Sequence, residues 1–280
     1  MDYQQLINGM KKYKSTEVDI CTHCLGVPPE AIHENVIIAP AWEPPSLALL
    51  GNAQYLSAPG YAEKIKIWNI ASSVGDITYM KTGIGAPVLM DALLALGLTK
   101  CKNVIFVGSV GSLDTNIGIG DIVIPKYSVC GDGASRYIAS DTLSNSDVFG
   151  TIVKPSKAMY DIVLRVTEKI CLQNHVKFHT GKTFSIDTVF AQYTHIDEIL
   201  KMGCNVIEME TASAFRAAEI AGVSIAAIFS VSDNTVTNKS LISGRTENDM
   251  EYRRYVRYNL FPPIILDVFK ALSFNNDQLV

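Results

Sequence analysis

The sequence predicts a single α/β domain whose central sheet is largely parallel or mixed and is covered by helices on both faces. Apolar, β-branched runs alternate with helical patterns along the chain, which is the order that such sheets require. Hydrophobic residues make up 48% and charged residues 19% of the chain, which is enough apolar material for a large core. No repeat, low-complexity tract or Gly/Ser linker divides the chain. We therefore expect one domain over residues 1–280, with residues 1–20 as an N-terminal extension.

Seven short apolar runs predict the strands. The first covers residues 35–40 and is closed by Pro40, as expected of a buried strand that ends in a loop. The six other runs are residues 65–71, 76–80, 103–108, 121–129, 204–207 and 224–231.

Four segments have the spacing of apolar residues that is typical of helices packed on a sheet. They are residues 86–99, 157–173, 209–222 and 247–273. Pro262 and Pro263 predict an interruption within the last of them. Residues 1–35 predict a helix followed by an irregular lead-in, and the polar residues 130–156 predict a long surface excursion.

Composition narrows the function to the binding of a small molecule. The formal net charge is -4 with a pI near 5.7, and no Lys/Arg-rich run stands out, so the electrostatic pattern of a nucleic-acid-binding protein is missing. No apolar stretch approaches the roughly 20 residues that span a bilayer, and the first residues lack the apolar middle of a signal peptide. We expect a cytoplasmic protein with no membrane or nucleic-acid partner.

The six cysteines are scattered, which is not the pattern of a disulfide-stapled scaffold. Cys21 and Cys24 form a CxxC around His23, but no second Cys/His pair stands at zinc spacing and no thioredoxin-like pattern surrounds it. We therefore expect reduced cysteines, an incidental CxxC in a loop, and no metal.

Three glycine-containing turns follow apolar runs: TGIG at 82–85, VGSVGSL at 107–113 and IGIGD at 117–121. They have two interpretations. Glycine lets the backbone approach a ligand and exposes N–H donors at strand ends, which would form an anion or ribose cradle. Glycine also closes tight connections that bind nothing. None of the three turns matches a Walker loop or a full dinucleotide fingerprint.

Glu208 and Glu210 flank Met209 at the point where a strand is expected to lead into a helix. The two carboxylates could simply complement the positive end of the helix dipole. Alternatively, one of them accepts hydrogen bonds from sugar hydroxyls while Met209 packs on the face of the sugar. The spacing favours neither interpretation.

Asp233 comes directly after the apolar run 224–231. It either caps the next segment or serves as a general acid, with its pKa raised in a semi-buried pocket. Arg245 follows twelve residues later and is a candidate for positioning or tuning it.

Taken in order, these segments resemble the nucleoside phosphorylase family, which contains the hexameric bacterial purine nucleoside phosphorylases, the uridine phosphorylases and the methylthioadenosine nucleosidases. The resemblance covers roughly residues 20–265. The matching segments are TGIGAP (82–87), VGSVGSL (107–113), GDIVIP (120–125), DGASRY (132–137), FSIDTVF (184–190), IEMETAS (207–213) and VSDNTVT (231–237). Several ordered matches are more specific than any single glycine pattern.

The resemblance implies a phosphorylase-like, three-layer α/β/α sandwich with a mixed sheet. It also implies a homo-oligomer with active sites shared between subunits, a dimer at least and a hexamer by analogy with the trimers of dimers in the family. In the phosphorylases, phosphate attacks C1′ of the ribose as the base departs. Inorganic phosphate would be a co-substrate, and no cofactor is implied.

The resemblance also implies roles for individual residues. Met209 and Glu210 would hold the ribose, with Glu208 beside them. Asp233 matches the general acid that protonates N7 of a purine, and Arg245 lies near the position of its helper. The base pocket would be lined by Val110, Gly111, Phe190 and Ile207.

Two further positions bear on the site. His23, or Cys24 next to it, would reach across the interface to the 5′-hydroxyl of a neighbour's nucleoside. Uridine phosphorylases lack the acid at Asp233 and read uracil with a Gln and an Arg. Gln192 could mimic the Gln, but no Arg follows it, so the resemblance favours purines.

The resemblance breaks at the phosphate site. Phosphorylases bind phosphate mainly with arginines, but this chain has no arginine before Arg136. The loop expected to read Gly-Asp-Pro-x-Arg reads WEPPS at 42–46, Phe106 stands where an arginine is expected ahead of VGS, and residues 52–81 offer no arginine for a neighbour's site. The remaining candidates for phosphate are Gly108, Ser109, Ser46, the amides of 107–111 and 82–86, Lys64, Lys66 and Lys81.

Three functions therefore stay open. The first is a purine nucleoside phosphorylase of purine salvage, which requires phosphate and yields ribose 1-phosphate. The second is a hydrolytic purine nucleosidase that keeps the roles of Asp233 and Glu210 but releases free ribose. The third is a non-catalytic nucleoside-binding or storage protein.

Overall fold

A mixed sheet lies at the centre of the structure, a computed structural model that describes residues 1–57, 65–145 and 147–276. The strands in these ranges are β1 (Asn35–Ile38), β2 (Asn52–Tyr55), β3 (Lys66–Ser72), β4 (Gly75–Lys81), β5 (Asn103–Ser112), β6 (Ile122–Gly131), β7 (Ile152–Val153), β8 (Phe178–Ile186), β9 (Val206–Glu208) and β10 (Ser224–Asn234). The helices are α1 (Tyr3–Lys12), α2 (Glu17–Leu25), α3 (Ala86–Leu96), α4 (Arg136–Ala139), α5 (Lys157–Asn174), α6 (Val189–Lys201), α7 (Thr211–Ala221), α8 (Glu247–Asn259) and α9 (Phe261–Asn276).

The sheet consists of a closed ring and an open flank that share β5. On one side of β5 lies β10, parallel to it, followed by β6, β8 and β9. β9 then returns to pair with Gly111 and Ser112 of β5, which closes the ring. On the other side of β5 lies β1, also parallel, followed by β4, β3 and β2.

Both faces of the sheet are buried under helices. Side chains alternate between the faces along each strand, so that Val104 and Phe106 of β5 pack into the core beneath α3 and α7. Ile105 and Val107 pack into the opposite core beneath α5, α8 and α9. This arrangement confirms the predicted fold class, an α/β sandwich with helical layers on both sides of a mixed sheet.

All seven predicted strands are present, and two of them extend three or four residues beyond their predicted ends. β5 extends to Ser112 and β10 to Asn234, so Ser109, Gly111 and Asp233 lie within strands rather than in turns after them. The sequence did not predict β2, β7, β8 or α6. Polar residues such as His179 and Lys182 interrupt the apolar pattern of β8 and concealed it.

Three local predictions need correction. The C-terminal stretch breaks at Leu260, between α8 and α9, whereas Pro262 and Pro263 lie in the first turn of α9, where a missing N–H costs no helical hydrogen bond. The CxxC lies in helix α2 and not in a loop, because the capping box of Thr16 starts a helix there. Residues 130–156 are not simply a surface excursion, since they include α4, β7 and several buried side chains.

One edge of β5 is open in the middle of the sheet. β1 pairs with this edge only as far as Phe106, and β9 pairs with it only from Gly111 onward. Between these residues no strand in the described part of the chain pairs with this edge. The gap lies at the carboxyl ends of parallel strands, where ligands bind in open α/β sheets.

Candidate active site

A cavity of about 270 Å³ opens at the gap beside β5. Ten of its lining residues are ones that the sequence analysis named as candidates for binding or catalysis: Gly108, Ser109, Gly111, Gln192, Ile207, Glu208, Met209, Glu210, Asp233 and Arg245. The others are Pro40, Ala41, Ile84, Phe106, Val189, Phe229, Ser232, Leu241 and Arg253. Residues that are far apart in the sequence thus converge on one concave space, with acidic, cationic and apolar groups together.

Glu208 ends β9 and holds the start of α7. Its Oε2 accepts hydrogen bonds from the backbone N–H groups of Glu210 at 2.7 Å and Thr211 at 2.8 Å, and its Oε1 accepts one from the Ser185 hydroxyl. Burial raises the pKa of Glu208. Of the two interpretations of the acidic pair, helix capping therefore describes Glu208.

Glu210 faces the cavity from the residue before α7. Its Oε1 accepts a hydrogen bond from the backbone N–H of Gly85, in the TGIG turn, at 2.6 Å. Burial and the nearby carboxylate of Glu208 raise the pKa of Glu210. Half-buried Met209 lines the same space. A carboxylate beside an apolar side chain is an arrangement that can bind the hydroxyls and the face of a sugar.

Asp233 is aimed into the cavity by an irregularity in β10. The pairing of β10 with β5 shifts register between Val231 and Asp233, and such a bulge redirects the side chains that follow it. The carboxylate is buried and accepts a hydrogen bond from the Ser232 hydroxyl at 2.6 Å. Burial raises the pKa of Asp233, which favours the protonated form. A buried carboxylic acid of this kind can donate a proton to a bound base.

Gly111 leaves the space in which Asp233 sits. A Cβ at this position would lie 3.2 Å from Oδ2 of Asp233 and 3.2 Å from Cγ2 of Ile207. A side chain would therefore crowd both residues, so this end of the cavity is closely packed.

Arg245 lines the cavity near Asp233 without a hydrogen bond to it in the described structure. Its Nη2 donates to the backbone carbonyl of Leu241 at 2.7 Å. The positive charges of Arg245 and Arg253 lower the pKa of Asp233 and so partly offset the effect of burial.

The structure brings a second arginine to the cavity that the motifs did not indicate. Arg253 of α8 lines the cavity, and its Nη2 donates to the Ser109 hydroxyl at 2.6 Å. Burial, together with the charges of Arg257 and Arg245, lowers the pKa of Arg253 to about 10. The only sequence signal was the spacing of Arg253 and Arg257, which puts two arginines on one face of a predicted helix.

Phe190 and Val110 do not reach the cavity. Phe190 is 95% exposed, because Val189 and Gln192 turn toward the cavity in the first turn of α6 while Phe190 lies about 100° further around the helix. The side chain of Val110 packs into the core and does not line the cavity.

His23 and Ser46 also lie outside the cavity. His23 is exposed on α2, and a role toward a neighbouring subunit stays a prediction. Ser46 lies in a short 3-10 segment, Pro44–Leu50, where its backbone N–H donates to the carbonyl of Glu43 at 2.8 Å.

The loop that replaces Gly-Asp-Pro-x-Arg carries no cation into the cavity. Glu43 binds both Lys81 and Lys66, with Nζ–Oε1 distances of 2.8 and 3.2 Å, and neither lysine lines the cavity. Trp42 is buried, and the guanidinium of Arg257 lies 5.2 Å from the centre of its ring. Lys64 lies outside the described residues.

A larger cavity of about 700 Å³ lies between α1, α2, α3 and residues 133–138. It is lined mainly by apolar side chains, and Cys24 and Asp91 are among its few polar groups. Its charged residues are Asp91, Arg136 and Asp187, and none of the residues that line the smaller cavity lines it. The smaller cavity is therefore the candidate active site.

Within the described residues, no group of three or more His, Cys, Asp or Glu is placed to hold a metal ion. Across those residues, no helix is both long enough and apolar enough to span a bilayer. None of the six cysteines, all within the described ranges, forms a disulfide.

Comparisons with known proteins show the family to which this chain is similar. A family model described as the Phosphorylase superfamily matches residues 35–252. A uridine phosphorylase from Thermococcus kodakarensis is 24% identical over 228 residues, which cover 70% of this chain and 78% of that protein. A DeoD-type purine nucleoside phosphorylase from Bacillus velezensis is 21% identical over 164 residues, which cover 58% of this chain and 66% of that protein.

Solved structures show the same fold. A uridine phosphorylase from Vibrio fischeri superposes with a TM-score of 0.68 at 22% identity, covering 86% of this chain and 93% of that one. An AMP nucleosidase from Bacteroides thetaiotaomicron superposes with a TM-score of 0.65 at 14% identity, covering 93% of this chain and 100% of that one. At these identities the likeness establishes the architecture alone.

Proposed function

The chain belongs to the phosphorylase superfamily, and we propose that it is a purine nucleoside phosphorylase. It would cleave the N-glycosidic bond of purine ribonucleosides reversibly, with phosphate as co-substrate, to give the free base and ribose 1-phosphate. The observation that carries this proposal is the presence of Asp233 and Glu210 on the walls of one cavity of about 270 Å³. One group can protonate a base while the other binds the sugar attached to it.

The chemistry follows from the placement of these two carboxyl groups. As the bond between C1′ and N9 breaks, its electron pair goes to the purine, and Asp233 gives its proton to N7. Positive charge builds on the ribosyl ring, and the carboxylate of Glu210 stabilises it. A phosphate oxygen forms the new bond to C1′. The proton that phosphate loses in forming the ester restores Asp233, so atoms and charges balance.

The choice of a purine rests on Asp233. A uracil ring offers no N7 to protonate, so a buried carboxylic acid at this place favours a purine leaving group. Relatives of this chain carry both names, uridine phosphorylase and purine nucleoside phosphorylase. Buried Gln192 lines the same cavity, which makes uridine the appropriate competing substrate in any test.

Hydrolysis is the second candidate function. It is favoured by the loop after β1, where buried Trp42 and the ion pairs of Glu43 leave no cation facing the cavity. In a nucleosidase, water would replace phosphate while Asp233 and Glu210 kept their roles.

The test is turnover of adenosine, inosine and uridine, with and without added phosphate, followed by chromatography of the base and sugar products. Ribose 1-phosphate formed only with phosphate supports the proposal. Free ribose in phosphate-free buffer makes the protein a nucleosidase. Binding of purine nucleosides without any cleavage overturns both and leaves a nucleoside-binding protein.

We also propose a cytoplasmic homo-oligomer, at least a dimer and by family resemblance a hexamer, in which His23 completes a neighbour's site. Exposed His23 on α2 supports this arrangement, since it borders no part of the cavity in its own subunit. Mixing inactive His23→Ala and Asp233→Ala subunits tests it. Mixed oligomers should regain part of the activity, and no recovery after confirmed subunit exchange would contradict shared sites.

A further inference from the structure

Two arginines, Arg245 and Arg253, line the cavity, and the charge of a third, Arg257, acts on Arg253. Arg245, Arg253 and Arg257 influence one another or Asp233 through their charges. Within the described residues, none of the three arginines forms a salt bridge, that is, none has a side-chain nitrogen within 4.0 Å of a carboxylate oxygen. Partly buried charges without partners are costly, so a cluster of this kind indicates a missing anion.

Arg253 has unused capacity as a hydrogen-bond donor. A guanidinium has five N–H donors, and the structure gives Arg253 one hydrogen bond, from Nη2 to the Ser109 hydroxyl at 2.6 Å. Its Nε is buried and has no acceptor. Because the Ser109 oxygen accepts from Arg253, the proton of its hydroxyl stays available for another acceptor. Both side chains therefore suit an anion with several oxygens.

The position of this pair within the sheet leaves room for such an anion. Ser109 lies in the stretch of β5 between Phe106 and Gly111 whose edge is unpaired in the described structure. At neighbouring Gly108, the three atoms nearest to a Cβ would be side-chain atoms of Phe229 and Phe106, at 3.5 to 3.8 Å. Gly108 is thus less crowded than Gly111.

From these contacts we infer that Arg253, with the hydroxyl of Ser109, binds the attacking phosphate, in place of the arginines missing from the loop after β1 and from position 106. The inference rests on the proposed function, because it assigns the co-substrate subsite of the same cavity. It also explains how the WEPPS loop can do without an arginine, since the cation arrives from α8 instead.

Arg257 positions this helix and is not itself placed in the subsite. It lies one turn after Arg253, on the same face of α8, and its guanidinium covers the ring of Trp42. Trp42, in the loop that stands where the phosphate loop is expected, therefore contacts the helix that carries Arg253.

The first experiment measures binding of inorganic phosphate alone, by calorimetry, with no nucleoside present. Arg253→Met should weaken phosphate binding about tenfold or more, since a charge-assisted, forked donor is lost. Arg254→Met is the matched control, because Arg254 is the exposed neighbour on the same helix and its loss changes the net charge equally. The control should stay within about twofold of the unaltered protein.

The second experiment separates the subsite from the rest of the mechanism. In steady-state kinetics, Arg253→Met should raise the KM for phosphate about tenfold or more while the KM for the nucleoside stays nearly unchanged. Arg253→Lys should recover only part of the phosphate affinity, because it keeps the charge but not the fork. Ser109→Ala should weaken phosphate binding less than Arg253→Met does, since it removes a neutral donor.

The possible outcomes separate this inference from the function. Phosphate binding that is equal in Arg253→Met and the unaltered protein overturns the inference. Phosphate binding that depends on Arg253, in a protein that cleaves no nucleoside, supports the subsite and contradicts the proposed enzyme. Cleavage to free ribose without any phosphate binding overturns the subsite and leaves a nucleosidase. A nucleoside 5′-monophosphate that binds through Arg253 when inorganic phosphate does not also overturns the assignment, because the anion would then belong to the substrate.

Discussion

The two ends of the active-site cavity are built from opposite charges. At one end, Glu208 and Glu210 are buried, and burial raises the pKa of both carboxyl groups. At the other end, Arg253 is held next to Arg245 and Arg257, and its pKa falls to about 10. At each end the surroundings disfavour the charged form of these groups, so their ionisation reduces the stability of the empty protein.

The difference between the ends matches the charges of the reaction. A ribosyl ring that becomes positive as its bond to the base breaks is stabilised by the acidic end. A phosphate dianion is stabilised by the arginine end. Asp233 supplies the proton that the departing base needs. Charges that are unfavourable in the empty protein can thus become favourable in the transition state, which is how a preorganised site accelerates a reaction.

The largest expected effect is at the proton donor. Asp233→Ala should lower kcat for adenosine and inosine by about 10²- to 10⁴-fold, since general acid catalysis contributes that much. Circular dichroism should show an intact fold. Asp197→Ala, which removes an exposed carboxylate on α6, is the control and should be unaffected. Undiminished turnover by Asp233→Ala would remove this residue from the mechanism.

Next in size is the acidic end. Glu210→Ala should lower kcat/KM by about 10²- to 10³-fold, because a preorganised charge near the developing cation is lost. Ribose binding and rate should fall together, whereas affinity for inorganic phosphate at the arginine end should stay nearly constant. Nucleoside binding and turnover equal to the unaltered protein would contradict the sugar-binding role.

The cavity also differs in packing between Gly111 and Gly108, two glycines of β5 that line it. Gly111→Ala brings a methyl group to 3.2 Å from Asp233 and Ile207, and we expect it to destabilise the protein by about 1–3 kcal/mol, as overpacking does. Gly108→Ala meets only ordinary contacts at 3.5 Å or more and should cost less than about 1 kcal/mol. Chemical denaturation of the two variants measures the difference. Equal losses would show that the two positions are equally crowded.

The smallest effect is on the pH dependence of stability. Because the pKa of Glu210 is raised on folding, its contribution to stability is complete below the unfolded pKa and is lost as pH rises through the folded one. Glu210→Gln should therefore gain in Tm, relative to the unaltered protein, as pH rises from 5 to about 9. The pKa of Arg253 is lowered to about 10, so its charged guanidinium destabilises the folded protein most at pH values below 10.

Arg253→Met should accordingly gain a few degrees in Tm at neutral pH, and this gain should stay level up to about pH 10 and shrink only above it. Between pH 5 and 9 the Tm gain of Glu210→Gln should thus grow, whereas that of Arg253→Met should stay level. Thermal melts of both proteins between pH 5 and 10 provide the comparison. If the Tm of both variants, relative to the unaltered protein, changed with pH in the same way, the two ends would not differ in the charge that their surroundings disfavour.

The two ends also differ in how far the sequence indicates them. Glu208, Glu210 and Asp233 stand next to apolar runs, so their place at strand ends follows from local patterns. The sequence did not show that Glu208 caps the helix while Glu210 faces the cavity. The two roles depend on hydrogen bonds that Glu208 accepts from Thr211 and Glu210 accepts from Gly85.

The arginine end was hidden from the sequence for a physical reason. Arg253 reaches Ser109 across 144 positions of the chain, through the packing of α8 on the sheet, and no local spacing records that contact. The extension of β5 beyond its predicted end likewise depends on β10 and β9, which are distant in the sequence. The outward direction of Phe190 depends on where α6 begins, a boundary that the sequence did not indicate.

The most direct test of the mechanism pairs two substrates with one variant. A 7-methylpurine nucleoside already carries a positive charge at N7 and needs no proton there, whereas inosine does. If Asp233 is the general acid, Asp233→Ala should cleave inosine about 10²- to 10⁴-fold more slowly but should cleave the 7-methylpurine nucleoside at nearly the unaltered rate. An equal loss of rate with both substrates would contradict proton donation by Asp233 and with it the assignment of this cavity to purine nucleoside cleavage.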